Sequence, residues 1–304
     1  MVFVSIFLGL LPSFLLVGLG GIVRGRLSAN AWQGLDRLNF EILFPALLFV
    51  AASARPIALT DVAVMGPAVW AILTAGLALG WLARPVGPQR FLDFAGAWQV
   101  SWRFNTAVGL VAVSLLSRGG VAEMAVAVGL AVPVANVFAV SALSRGGAMT
   151  VGATLRKVAL NPFLLASLSG VIIGLMGWQL PAPVLAPLEM LSRAAIPVAL
   201  LSIGATMNWR ALARLDRFDG AICAIKLLIL PALALAGGLM LGLDPAIGTV
   251  LVLFAALPTA SAAHVLASGF GADRELVATL IAQTTLLSAI SLPVWITLAE
   301  LLFQ

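Results

Sequence analysis

The sequence predicts an all-α polytopic membrane protein of ten transmembrane helices, arranged as two inverted five-helix repeats. Three observations predict it. Of the 304 residues, 62% are hydrophobic and only 10% charged, whereas about a quarter of a soluble domain is charged. The apolar residues fall into ten runs, each near the ~20 residues a helix needs to cross a bilayer. Residues half a chain apart also correspond, at an offset of 152 positions.

The runs lie near 2–23, 36–54, 61–83, 94–116, 122–143, 158–178, 187–207, 218–241, 246–268 and 276–302. The first has no basic segment before it, and Arg24 and Arg26 follow it. A cleaved signal peptide has the opposite order, so residues 2–23 read as a true helix. Arg84-Pro85-Val86-Gly87-Pro88, Arg145-Gly146-Gly147 and Leu180-Pro181-Ala182-Pro183 punctuate the connections. Trp32, Trp81, Trp178 and Trp209 stand near span ends, as interfacial anchors do.

Charge sets the orientation. Twelve of the seventeen basic residues follow odd-numbered spans: Arg24, Arg26, Arg37, Arg84, Arg90, Arg145, Arg156, Lys157, Arg210, Arg214, Arg217 and Arg274. The opposite side holds Arg55, Arg118 and Arg193, while Arg103 and Lys226 fall within spans. Cytoplasmic loops carry the excess of Lys and Arg. Both termini are therefore expected on the extracytoplasmic side, in a bacterial inner membrane. The net charge of +5 is explained by these short loops, which argues against a nucleic-acid partner. Cys223 is the only cysteine, so no intrachain disulfide forms and the redox compartment is left open.

At the offset of 152, Leu47-Leu48 after Pro45 falls on Ala199-Leu200 after Pro197, and Gly18 falls on Gly170. The halves are 1–145 and 155–304, forming one integrated membrane domain. Five helices per half make the second enter from the other side, the inverted plan common among secondary transporters.

The candidate site is Trp102-Arg103-Phe104-Asn105-Thr106-Ala107-Val108-Gly109 in the fourth span. A cation, an amide and a hydroxyl are costly in hydrocarbon and face a bundle interior or a watery cavity. Asn105-Thr106 maps at the same offset onto Leu257-Pro258, within Ala255–Ala262 of the ninth span. Pro258 removes one helical hydrogen bond, leaving backbone groups free to meet a ligand. Two half-helices meeting at mid-depth aim positive N-terminal ends at the site, which favours an anion. Arg103 adds a forked donor suited to a carboxylate; the alternative is snorkelling to the cytoplasmic interface.

Several stretches resemble the auxin efflux carrier family, which contains bacterial organic-acid permeases and plant auxin exporters. Leu38–Phe49 resembles its second helix; Asn161–Gly174 and Ala194–Gly204 resemble its sixth and seventh; Leu257–Pro293 resembles its ninth and tenth. The resemblance runs almost end to end. It implies a ten-helix fold whose fourth and ninth helices are broken and cross at the substrate site, with elevator-like transport and a plausible homodimer. In plant members the fourth-helix break reads Pro-Asn-Thr; Asn105-Thr106 match and Phe104 replaces the proline. Pro258 matches in the ninth. Many bacterial members have Thr-Asn where this chain reads Ser261-Ala262, which leaves the details of coordination open. The long cytoplasmic loop of some plant exporters is absent, so auxin is a poor guess at the substrate.

The expected substrate is a small organic anion such as a mono- or dicarboxylate, contacted by Arg103, Asn105, Thr106, Leu257, Pro258, Thr259 and Ser261. His264, Glu41, Gln283 and Thr284 are candidates for coupling to H+ or Na+, and no other cofactor is expected. For His264, proton carriage competes with ordinary packing; Glu41 and Lys226 could equally be structural. Ser/Thr hydroxyls on the tenth span could simply bond back to their own helix. An intramembrane enzyme would need paired acids, a metal motif or a nucleophile with its base, and no such set is present. A non-transporting sensor or a channel that keeps the carrier fold is the alternative to a carrier.

Overall fold

The computed structural model describes residues 2–53, 59–113, 116, 120–145, 160, 162–206 and 215–303, and every regular element among them is a helix. Trp209, Arg55, Arg118, Arg156, Lys157, Arg210, Arg214, the Gly146-Gly147 turn and Asn161 lie outside the described residues. Five described stretches have the length and hydropathy to cross a bilayer: Ala63–Leu82, Val126–Arg145, Ala182–Ser202, Arg217–Met240 and Arg274–Leu302. Leu82, Met190 and Ile290 on them are exposed, as lipid-facing side chains should be.

Helix α1 (Val2–Val23) ends in a 3-10 turn at Arg24–Arg26. The Ser28 hydroxyl then caps α2 (Ala29–Leu38) by accepting from the Ala31 N–H at 3.2 Å. A π turn at Asn39–Leu43 carries α2 into α3 (Phe44–Ser53). This helix begins at Ala29, ahead of the apolar run read from position 36. Asn30, Gln33, Asp36 and Arg37 make its first turns polar, so hydropathy alone misses them. Next come α4 (Leu59–Leu82), α5 (Phe91–Trp98), α6 (Thr106–Val113), α7 (Val121–Arg145), α8 (Pro162–Met176) and α9 (Ala182–Thr206). Helix α10 (Arg217–Ala224) passes through a second π turn, Ile225–Ile229, into α11 (Leu230–Met240). Then follow α12 (Pro245–Ala256), α13 (Ala262–Phe270) and α14 (Arg274–Leu302). The carboxylates of Asp244 and Asp273 cap α12 and α14, in the place where an N-terminal acid satisfies orphan N–H groups.

The helices pack in two groups. In one, α1 lies on α9 and α3 lies on both α8 and α9. In the other, α4, α7, α11, α12 and α14 surround the short helices α5, α6 and α13. The main hydrophobic core sits in the second group, around Phe94, Trp102, Met65, Phe254 and Leu292. Glycine allows the closest approaches. A Cβ on Gly204 would overlap the Val17 carbonyl and one on Gly20 the Leu201 carbonyl, so α1 and α9 meet backbone to backbone. A Cβ on Gly76 of α4 would stand 2.7 Å from the Ser101 carbonyl oxygen.

Of the tryptophans read as interfacial, Trp81 and Trp178 are exposed. Trp32 is buried instead, its indole N–H donating to the Arg24 carbonyl at 3.0 Å. It locks the start of α2 onto the turn after α1.

Candidate functional site

Inside the second group, two non-helical stretches face each other. Residues 102–105 separate the 3-10 turn Gln99–Ser101 from α6, and residues 257–261 separate α12 from α13. Pro258 has no N–H to give the Phe254 carbonyl, which accepts instead from Leu257 at 3.4 Å. Backbone groups released this way must find partners when buried. Here they find them across the crossing. The Asn105 N–H donates to the Pro258 carbonyl at 2.8 Å. The Thr259 hydroxyl donates to the Val100 carbonyl at 2.7 Å, and the Gln99 amide to the Ala263 carbonyl at 3.1 Å. Lys226, in the second π turn, donates to the Ala255 carbonyl at 3.2 Å, an acceptor that a continuous helix would have paired with the Thr259 N–H. Phe104 packs on Phe254 with ring centroids 4.6 Å apart.

A cavity of about 50 Å³ opens beside this crossing. Arg103, Phe104, Asn105 and Thr106 form one wall and Ala260, Ser261 and Ala262 another. Helix α7 contributes Val132, Ala135 and Asn136, while α3 and α9 close it with Phe44, Leu47, Ile196, Ala199 and Leu200. The site therefore lies where the two groups of helices meet. The N-terminal ends of α6 and α13 both border it.

Arg103 is only 5% exposed and points inward, one terminal N–H donating to Asn136 Oδ1 at 3.0 Å. A guanidinium can only donate, so Asn136 must offer its oxygen and turn its amide nitrogen away. Two buried donors then have no hydrogen-bond partner: Arg103 Nε and Asn136 Nδ2. Unsatisfied buried donors are costly, and both residues line the cavity.

Of the residues singled out in the sequence, Arg103, Asn105, Thr106 and Ser261 reach the cavity. Leu257, Pro258 and Thr259 are not among its lining residues; they tie the two stretches together, with Leu257 and Thr259 fully buried. Glu41 lies on the surface, with its side chain 50% exposed and 2.8 Å from Arg37 one turn earlier. Thr284 is buried with its hydroxyl bonded back to the Ile281 carbonyl at 3.0 Å. Gln283 donates to Asp219 Oδ2 at 3.1 Å. Asp219 is 5% exposed, although the sequence places it at the edge of a span. His264 is 3% exposed and lies 3.5 Å from Asp36.

The sequence alone does not single out Asn136 or Asn39. Asn39 donates from the first π turn to the Ala195 carbonyl at 3.1 Å. Asn136 had one available signal, an amide within an otherwise apolar span.

Residues 148–296 match the family model described as "Membrane transport protein". The chain is 30% identical over 298 residues, 91% of each chain, to a protein of Rhizobium meliloti (strain 1021) named "Putative malonate transporter". It is 28% identical over 310 residues, covering 94% of this chain and 95% of the other, to an "Uncharacterized transporter" of Methanothermobacter thermautotrophicus (strain Delta H).

Proposed function

Since this chain belongs to the auxin efflux carrier family of membrane transporters, we propose that it carries small organic dianions of the malonate type across the bacterial inner membrane. The observation that carries the reading is the pair of unpartnered buried donors, Arg103 Nε and Asn136 Nδ2, on the cavity beside the crossing. A carboxylate offers acceptors to both, in forked geometry suited to a guanidinium. The N-terminal ends of α6 and α13 add partial positive charge at the same place. The name of the Rhizobium relative supports malonate as the first substrate to try.

In this reading the chain is a ten-span inverted repeat. The two interrupted spans, α5–α6 and α12–α13, cross at mid-depth and hold the substrate. The cavity of about 50 Å³ has room for only about three waters, less than a dicarboxylate needs. Loading therefore requires α3 and α9 to move away from the crossing. The apolar wall they present, with Phe44, Leu47, Ala199 and Leu200, suits a sliding surface. An elevator-type movement of the second group of helices past the first satisfies both requirements, with both termini extracytoplasmic. Each unit of an expected homodimer holds a complete site.

The test is counterflow. Purified protein in proteoliposomes loaded with unlabelled malonate should accumulate labelled malonate transiently, and Arg103→Gln should abolish the overshoot. Absence of counterflow with binding retained would instead identify a sensor, and a non-saturating current would identify a channel.

A further inference from the structure

His264 sits between a carbonyl oxygen, which can only accept, and a carboxylate oxygen, which accepts when ionised. Its Nδ1 is 3.0 Å from the Arg274 carbonyl oxygen and its Nε2 is 3.5 Å from Asp36 Oδ2. A neutral imidazole has one N–H. It can satisfy one of these contacts, and it turns a lone pair toward the other acceptor. Both contacts are attractive only when the His264–Asp36 pair holds one further proton, on Nε2 or on the carboxyl. The other Asp36 oxygen, Oδ1, accepts from the Ser202 hydroxyl, which fixes the carboxylate facing the ring.

The three side chains come from different parts of the fold. Asp36 is on α2 and Ser202 on α9, within or beside the group that lines the outer wall of the crossing. His264 is on α13, three residues past Ser261 at the cavity. The cluster therefore bridges the two groups that the alternating-access reading requires to move. A cavity of about 230 Å³, lined by Arg24, Trp32, Gln33, His264, Arg274 and Glu275, reaches the ring. It lies at the end of α1 that carries Arg24 and Arg26, so solvent protons have a route in.

The charged neighbours are accounted for. Helix α13 packs on α5, α7, α14 and the first π turn. Asp93 on α5 is held by Arg90 at 3.4 Å and by the Asp273 N–H at 2.9 Å. Glu41 in the π turn is paired with Arg37. Arg274 and Glu275 of α14, and Arg24 from the 3-10 turn, line the cavity, while Glu123 and Arg145 sit at the two ends of α7 and Glu300 near the far end of α14. Among the described residues, Asp36 is the one carboxylate within ion-pair distance of the ring.

We propose that Asp36, Ser202 and His264 form a proton-operated latch that ties α13 to α2 and α9 through both ring nitrogens when protonated and holds it by fewer contacts, and so more loosely, when deprotonated. The latch rests on the alternating-access reading and names the proton as its coupling ion. Whatever changes the proton affinity of the latch on movement must, by reciprocity, bias the movement when a proton binds.

Hydrogen–deuterium exchange of the full chain in lipid nanodiscs tests it without substrate. After correction for the base-catalysed intrinsic rate, peptides covering 262–270 should exchange about fivefold faster near pH 8 than near pH 5.5. His264→Gln and Asp36→Asn should erase the difference, Ser202→Ala should reduce it, and Glu41→Gln, which removes the Arg37-paired carboxylate of the first π turn and leaves the three latch residues in place, should retain it. A wild type with equal exchange at both pH values overturns the latch, as does a pH response that survives Asp36→Asn or disappears in Glu41→Gln. If the His264 and Asp36 variants fail to fold, the wild type and Glu41→Gln decide. Malonate counterflow separates the two readings. A pH response in wild type that moves no malonate refutes the substrate and leaves the latch standing; malonate counterflow without the pH response refutes the latch alone.

Discussion

Replacing Arg103 with glutamine separates anion recognition from packing. In the structure one guanidinium N–H is committed to Asn136 and Nε has no partner. A carboxylate that enters takes up the unpartnered donor, and a hydrogen bond to a charged group contributes about 1.5–3 kcal/mol. Losing it should weaken malonate binding about ten- to 150-fold, at about 1.4 kcal/mol per decade. The neutral analogue malonamide lacks the charge that makes this bond strong, and its binding should change severalfold at most. The substitution also leaves Asn136 Oδ1 short of its present donor unless the new amide reaches it, which costs about 1–3 kcal/mol of stability. Thermal melting in detergent must therefore accompany the binding titration. Arg103→Lys is the companion variant, since it keeps the charge but not the fork, and it should fall between wild type and glutamine. An equal loss for malonate and malonamide in Arg103→Gln would refute the assignment and leave Arg103 as a packing residue.

Three further outcomes are expected. Thr259→Val removes the hydroxyl that satisfies the Val100 carbonyl; it should lower stability by about 1–3 kcal/mol, read as a lower Tm, while Thr259→Ser stays near wild type. Gly204→Val places side-chain atoms against the Val17 carbonyl and should destabilise by about 1–3 kcal/mol. Gly18→Ala, where a Cβ meets nothing within 4 Å, should be neutral by the same melting assay. Pro258→Ala should impair counterflow without blocking membrane insertion, because a restored N–H competes for the Phe254 carbonyl and tightens the turn that presents Ala260 and Ser261; normal counterflow would remove Pro258 from the mechanism.

What the sequence makes legible follows from what hydropathy measures. Apolar length locates α4, α7, α9 and α14 within a few residues, because each spans lipid or core from end to end. The same measure overlooks the start of α2, where Asp36 and Gln33 sit among polar neighbours although the backbone is already helical. Stretches 102–109 and 255–262 stand out because Arg103, Asn105 and Pro258 are costly or disruptive within apolar runs, and they lie where α5 gives way to α6 and α12 to α13. What each residue there touches is not legible in the same way. Leu257 and Thr259 face the partner stretch and Ser261 faces the cavity, which depends on the turn between two helices rather than on residue type. Asn136 escapes notice because its role depends on Arg103, 33 positions away. Asp219 escapes because a carboxylate at the edge of an apolar run reads as solvated until Gln283 is seen beside it.

The crossing also has an electrical polarity, set by where its helices stop. A helix that stops exposes carbonyls at its C-terminal end and N–H groups at its N-terminal end, with opposite partial charges. At the C-terminal end of α12 the Ala255 carbonyl accepts from Lys226 Nζ. In the 3-10 turn Gln99–Ser101 the Val100 carbonyl accepts from the Thr259 hydroxyl. The negative ends are thus answered by the chain's own donors, away from the cavity. Around the cavity itself the N-terminal ends of α6 and α13 stand beside Arg103 and Asn136, and both residues still have a donor to spare. These spare donors and helix N-termini are what the proposed anion would answer.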